Sequence, residues 1–194
     1  MSKLIIFAPN TGGNHIANII GAGQNLDNCI KDQPLLERYL NDFRYLNEIS
    51  DSGHHFNNLF LHDQPSIKEN CIYIGHLDQV LLQSNKNKIK DIKDILIITI
   101  QGYANKKLRG IYTLSDLEQA VYTKEFLQNI FRNKNLYTLN FDDMLSNFDI
   151  LKFVLDDTPF SIKSKYKEYH KIWLENIKTI KNKDGILLKQ EVVT

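Results

Sequence analysis

This 194-residue sequence has few cysteines, almost no net charge and no long apolar run. The two cysteines, Cys29 and Cys71, lie far apart with no CxxC pair or histidine at ligand spacing, which argues against a disulfide framework and a structural zinc site. With 24 basic and 23 acidic residues the formal charge is +1, so we expect neither nucleic acid nor a membrane surface as a partner. No run approaches the roughly 18 apolar residues of a transmembrane helix, and the apolar run at 4–8 is too short for a signal peptide. These absences predict an intracellular, cytoplasmic protein.

The rest of the composition is that of a globular protein, with 42% hydrophobic and 24% charged residues. A chain of this length fits one domain, and no linker rich in glycine, proline or serine divides it. We therefore expect a single domain over residues 1–194, in which the tail at 185–194 is either a short edge strand or disordered.

Short apolar segments alternate with helical patterns along the chain. The predicted strands are 3–8, 71–75, 94–100 and 136–140. The predicted helices are 15–20, which Gly21 and Gly23 end, then 34–49, 77–83 and 115–131, short helices from 142 onward, and 163–181. Segment 94–100 (DILIITI) is apolar on both faces, which is typical of an interior strand of a parallel sheet. The alternation predicts a three-layer α/β/α domain with a central parallel sheet and helices on both of its faces.

The segment at 10–15, Asn-Thr-Gly-Gly-Asn-His, joins the first predicted strand to the first predicted helix. A tight glycine turn at that place directs several backbone N–H groups, and the positive end of the helix dipole, at one spot where an anion binds readily. In parallel sheets such a turn lies at the carboxyl ends of the strands, where ligands bind. The alternative is that Gly12 and Gly13 only make a sharp turn and that Asn14 or Thr11 only caps the helix. The segment has neither the lysine of a Walker A loop nor a GxGxxG pattern.

Residues 8–15, Ala-Pro-Asn-Thr-Gly-Gly-Asn-His, resemble the 5′-phosphosulfate loop of the P-loop sulfotransferases. Residues 72–76, Ile-Tyr-Ile-Gly-His, are similar to the second strand of that family, which in many members ends in a histidine that acts as the catalytic base. Segments 94–100 and 136–145 resemble the third strand and a later strand with its turn. The resemblance implies a P-loop nucleoside triphosphate hydrolase-like fold of the sulfotransferase kind. It also implies 3′-phosphoadenosine 5′-phosphosulfate as co-substrate, a small-molecule or glycan acceptor, and no metal.

The resemblance also implies roles for individual residues. His76 corresponds to the catalytic base. The residues that would hold the phosphosulfate are Asn10, Thr11, Gly12, Gly13, Asn14 and His15. Asn10 stands where the family has a lysine, and Arg109, with Lys106 and Lys107, lies near the place of the arginine that binds the 3′-phosphate.

Two other functions stay open at this stage. A nucleotide- or anion-binding module of the same fold without transfer activity agrees with the replaced lysine and arginine. A phosphoryl-transfer enzyme would need Mg²⁺ ligands, and segment 94–100 has no acidic residue at its carboxyl end.

The remaining histidines are less informative. His54, His55 and His62 lack a matching carboxylate at metal-ligand spacing. His170 and Trp173 lie one turn apart on the final predicted helix, and we expect them to pack against the core.

Overall fold

Four short parallel strands form one sheet in the computed structural model, which describes residues 1–7, 12–27, 67, 69–76, 89–99 and 124–179. The strands are β1 (Lys3–Phe7), β2 (Ile72–His76), β3 (Asp94–Thr99) and β4 (Asn135–Asn140). They lie in the order β2-β1-β3-β4, and every pair is parallel. The four predicted strands are therefore confirmed to within one residue at each described end.

The position of β3 follows from its sequence. All six of its residues are buried, and it lies between β1 and β4. Since an interior strand of a parallel sheet is covered by other elements on both faces, it needs apolar side chains in both directions, as DILIITI has.

Five described helices accompany the sheet. They are α1 (Gly13–Gly23), α2 (Lys124–Ile130), α3 (Phe141–Met144), α4 (Phe148–Asp156) and α5 (Lys167–Thr179), with a 3₁₀ turn at Ser164–Tyr166 before α5. None of the helices in the described ranges is long and apolar enough to cross a membrane.

Alternate residues of the strands bury their side chains in two separate cores. Ile5 and Phe7 of β1 pack with residues of α1, α3, α4 and α5, whereas Leu4 and Ile6 pack on the opposite face with Leu127 of α2. Because successive side chains of a strand point to opposite faces, this division places helices on both sides of the sheet. The predicted α/β class is confirmed.

Of the two glycines predicted to end the first helix, Gly23 is its last residue, whereas Gly21 lies inside it. α1 continues to Gly23, and the amide of Leu26 donates to the Gly21 carbonyl at 2.8 Å just beyond the helix end. Gly21 is buried, so close packing outweighs the roughly 1 kcal/mol that glycine costs inside a helix. The predicted helices at 34–49 and 77–83, and the tail at 185–194, lie outside the described residues.

Asparagine side chains begin two of the helices at the carboxyl side of β4. Oδ1 of Asn140 accepts from the Asp142 amide at 3.2 Å. Oδ1 of Asn147 accepts from the amides of Asp149 and Ile150 at 3.0 and 3.1 Å. Such caps satisfy amides that have no acceptor within the helix.

The Asn147 cap provides a stability prediction. Asn147→Ala is expected to lower the free energy of unfolding by about 1 kcal/mol, because two amides of α4 lose their acceptor. Asn147→Asp, which keeps an oxygen in the same position, is the matched control and should remain close to the wild type. Urea denaturation of the three proteins measures the difference, and equal stability of the alanine variant would contradict the cap.

Candidate functional site

The carboxyl ends of the strands bring the turn before α1 and the end of β2 together. In the register of the sheet, Phe7 of β1 lies opposite His76 of β2. β2 lies on one side of β1 in the sheet, and β3 lies on the other side of β1. The direction in which successive strands are added therefore reverses between β1 and β3. In doubly wound sheets ligands bind in the crevice at such a reversal.

Gly12, the residue before α1, has a left-handed backbone at φ 72° and ψ 19°, and among the described residues no side chain caps the helix. The first turn of α1 also has no acidic residue. The first amides of any α-helix lack intrahelical acceptors, and within the described residues neither a side-chain cap nor a carboxylate in the first turn of α1 compensates the positive end of the dipole. Asn14 lies inside the helix and is not its cap, whereas Thr11 lies outside the described residues. The geometry of this turn suits an anion.

Both glycines of the turn are also packed tightly. A Cβ atom on Gly12 would lie 2.5 Å from Cζ2 of Trp173 and 2.9 Å from Cε of Met144. A Cβ atom on Gly13 would lie well under 3.0 Å from the ring carbons of Phe7. The turn is therefore held between Phe7 of β1 and Trp173 of α5, and the glycines serve packing as well as conformation.

The imidazole of His76 is oriented by Phe7. Its Nδ1 lies 3.1 Å from the Phe7 carbonyl oxygen, and the two rings meet edge to face with centroids 4.8 Å apart. A carbonyl oxygen only accepts, so Nδ1–H donates, and in the neutral ring Nε2 keeps its lone pair. His76 is half-buried at the end of β2. Its imidazole thus lies at the same edge of the sheet as the start of α1, in an orientation fixed by Phe7.

The side chain of His15 lies between α1 and α5. It is 4% exposed, stacks on Trp173 with centroids 4.2 Å apart and an interplanar angle of 2°, and its Nε2 lies 2.9 Å from Nδ1 of His170. Burial, and then the charge of His170, lower the pKa of His15 well below its ordinary value. An anion at the turn would meet the backbone amide of His15 and not its Nε2, which His170 occupies. The predicted packing of His170 and Trp173 is confirmed.

Two carboxylates follow β4 at the same edge. Burial, together with the neighbouring Asp143, raises the pKa of Asp142 above its ordinary value. Both lie in α3, just after the Asn140 cap. Among the described residues no group of three histidine, cysteine or acidic side chains is arranged to hold a metal ion.

Sequence reasoning found only part of this arrangement. The position of the glycine turn and that of His76 were predicted from the sequence. The orientation of His76 by Phe7 and the contact of Trp173 with Gly12 were not. The signal for Phe7 was available, since it is the last apolar residue of the strand next to β2. Asn10, Thr11 and Arg109, like Lys106 and Lys107, lie outside the described residues.

Comparisons with known proteins give no relative from which to carry a function over. No protein-family model, no curated protein and no solved structure matches this chain significantly.

Proposed function

We propose that this chain is a sulfotransferase that binds 3′-phosphoadenosine 5′-phosphosulfate at the glycine turn and transfers its sulfonate to a hydroxyl or amine. The observation that carries the proposal is the position of His76, held by Phe7 with Nε2 basic, on the strand next to the uncapped start of α1. The P-loop sulfotransferase-like form of the α/β fold belongs to the same proposal.

The turn supplies the electrostatic part of the proposed reaction. Backbone amides at the start of α1 are fixed donors, so they stabilise negative charge on the leaving phosphate without having to reorganise.

His76 supplies the proton transfer. In the proposed step Nε2 takes the proton of the acceptor hydroxyl, whose oxygen forms a bond to the sulfonate sulfur. The bond between sulfur and the bridging phosphate oxygen breaks, and 3′-phosphoadenosine 5′-phosphate leaves with that electron pair. The Phe7 carbonyl accepts from Nδ1–H throughout, so it keeps the ring in place and stabilises the imidazolium.

A second candidate function is a binding module of the same fold without transfer activity. Two observations favour it: Asn10 replaces the family's loop lysine, and among the described residues no hydrogen bond or ion pair joins a lysine or arginine to Gly12, Gly13 or His15. Activity with a panel of acceptors separates the two functions, because the module binds the nucleotide without turnover.

Calorimetry with 3′-phosphoadenosine 5′-phosphate tests the anion site. We expect the wild type to bind it and Asn14→Asp to bind roughly tenfold less tightly or worse, because the new carboxylate places a like charge beside the phosphate. Because Oδ1 of Asn14 is buried, a charge there also costs folding free energy, so thermal unfolding of Asn14→Asp is measured beside the calorimetry and only weaker binding by the folded variant supports the site.

Asn70→Asp is the matched control for this experiment. Asn70 is exposed at the start of β2, at the opposite edge of the sheet, and the substitution makes the same change of charge. Equal affinity of all three proteins, or no binding by the wild type, would contradict an anion site at the turn. Displacement of the nucleotide by a tighter-binding ATP·Mg²⁺ would favour phosphoryl transfer.

A further inference from the structure

The two buried histidines form a hydrogen-bonded chain whose protons can be assigned. Nε2 of His170 lies 3.3 Å from the Ser146 carbonyl oxygen, which only accepts, so Nε2–H of His170 donates. In a neutral His170, Nδ1 is then the acceptor, and Nε2–H of His15 must donate to it across 2.9 Å. His15 therefore has its lone pair on Nδ1, and this buried atom has no hydrogen-bond partner among the described residues.

This chain joins the glycine turn to α5. His15 lies in the first turn of α1, and its ring is stacked on Trp173 and on Tyr169, both of α5. Trp173 in turn contacts Gly12. The docking of α5 on the turn thus depends on two imidazoles that have to remain neutral.

We propose that His15 and His170 form a proton-controlled latch, which holds α5 and Trp173 on the glycine turn while both rings are neutral and releases them when the pair is protonated. The latch does not depend on the proposed transfer activity, since it concerns only the contact between α1 and α5.

Protonation of either histidine costs free energy in the docked state. A proton on Nδ1 of His170 faces the N–H of His15, so two donors oppose each other. A proton on Nδ1 of His15 has no acceptor among the described residues. In both cases a charge is buried with no carboxylate of the described residues bonded to it, which is costly.

The groups that surround the pair give no such compensation. Rings and carbonyls face it: Tyr169 and Trp173 from α5, Phe148 from α4, and the backbone carbonyls of Ser146 and Met144, which raise the pKa of His170 by less than burial lowers it. The charged groups of the packed elements whose side chains the structure describes are Asp142 and Asp143 of α3, Asp149, Lys152 and Asp156 of α4, and Lys167, Glu168, Lys171 and Glu175 of α5. Several of them pair with each other at the surface, as Lys167 with Asp149 and Lys171 with Glu168, and among the described residues none is bonded to either imidazole. The described part of α1 has no charged side chain.

The direction of the pH dependence follows from the burial of the pair. Burial lowers the pKa of His170 from 6.5 to about 4, and that of His15 also lies well below 6.5. Released histidines have ordinary pKa values, so the released state binds more protons as the pH falls below 6.5. The equilibrium constant for the docking of α5 on the glycine turn is therefore largest above pH 6.5. Protonation of His170 is expected to lower this constant by up to about tenfold per pH unit between pH 6.5 and about 4, and protonation of His15 lowers it further below pH 6.5.

Trp173 is the only tryptophan of the chain, so its fluorescence reports on the latch directly. The full chain is titrated from pH 8 to pH 4 while emission, quenching by acrylamide and far-UV circular dichroism are recorded. We expect a red shift and greater quenching below pH 6.5 while the secondary structure is retained. The variant His15→Gln/His170→Asn keeps a donor and an acceptor that do not titrate, and it should lose this transition. The control His76→Gln, which removes a histidine outside the pair, should keep it.

Several results would overturn the latch: unchanged Trp173 emission and quenching down to pH 4, loss of all secondary structure in the same transition, or a transition that persists in the double variant. If the double variant fails to fold, ¹⁵N NMR of the wild type at pH 7 decides instead. The latch requires the Nε2–H form of both His15 and His170, and an Nδ1–H signal from either would exclude it.

Discussion

His76→Ala is expected to reduce the rate of sulfonate transfer by roughly 10²–10⁴-fold, the usual contribution of a positioned acid–base group. Affinity for 3′-phosphoadenosine 5′-phosphate should hardly change, because the amides of α1, and not the imidazole, are proposed to hold the phosphate. Steady-state rates and calorimetry on the same preparations measure the two quantities.

The control for this variant is His76→Gln. An amide at this position occupies similar space beside Phe7, but it cannot take up a proton at neutral pH. Glutamine and alanine should therefore slow the reaction to a similar extent, while thermal unfolding of the glutamine variant stays close to the wild type. A variant that loses nucleotide affinity in proportion to rate would show that His76 has a structural role. A wild type without activity on any acceptor would favour the binding module.

The strands could be predicted from sequence because the information that defines them is local. A short apolar segment such as 94–100 carries its own burial pattern, and the alternation with helices limits the topology to a parallel sheet. The continuation of α1 past Gly21 could not be predicted in this way. Gly21 is a helix breaker by intrinsic propensity, and only its burial in the assembled fold explains why the helix continues past it.

The same distinction between local and long-range information applies to the candidate site. The turn and His76 follow directly from residues that are adjacent in sequence to a strand end. The His15–His170 contact joins residues 155 positions apart, so no local pattern predicts it. The group that orients His76 is the backbone carbonyl of Phe7, which is invisible to any search for side-chain motifs. The two interpretations of Gly12 and Gly13, anion turn or packing, are also not exclusive, because both glycines are packed and Gly12 in addition begins α1 with a positive φ.

Gly13→Ala is expected to lower the free energy of unfolding by about 3 kcal/mol, at the upper end of what an extra methyl group costs in a well-packed core. The new Cβ atom would lie well under 3.0 Å from the Phe7 ring carbons, and the ring is itself held against His76. Since β1 is an interior strand, Phe7 cannot move away without disturbing the sheet. Urea denaturation followed by circular dichroism measures the change.

The matched control lies in the same helix. A Cβ atom on Gly23 would find its nearest neighbour, Cε2 of Tyr166, at 3.5 Å, an ordinary van der Waals contact. Gly23→Ala should therefore be neutral or stabilising by up to about 1 kcal/mol, because alanine favours a helix. Gly13→Ala combined with Phe7→Leu should be more stable than the sum of the two single changes, since the smaller side chain relieves the overlap. If Gly13→Ala were as stable as Gly23→Ala, the contact between Phe7 and the turn would be wrong. An instability of this size also means that substitutions at Gly13 cannot test anion binding, whereas Asn14→Asp changes the charge beside the turn and keeps the size of the side chain.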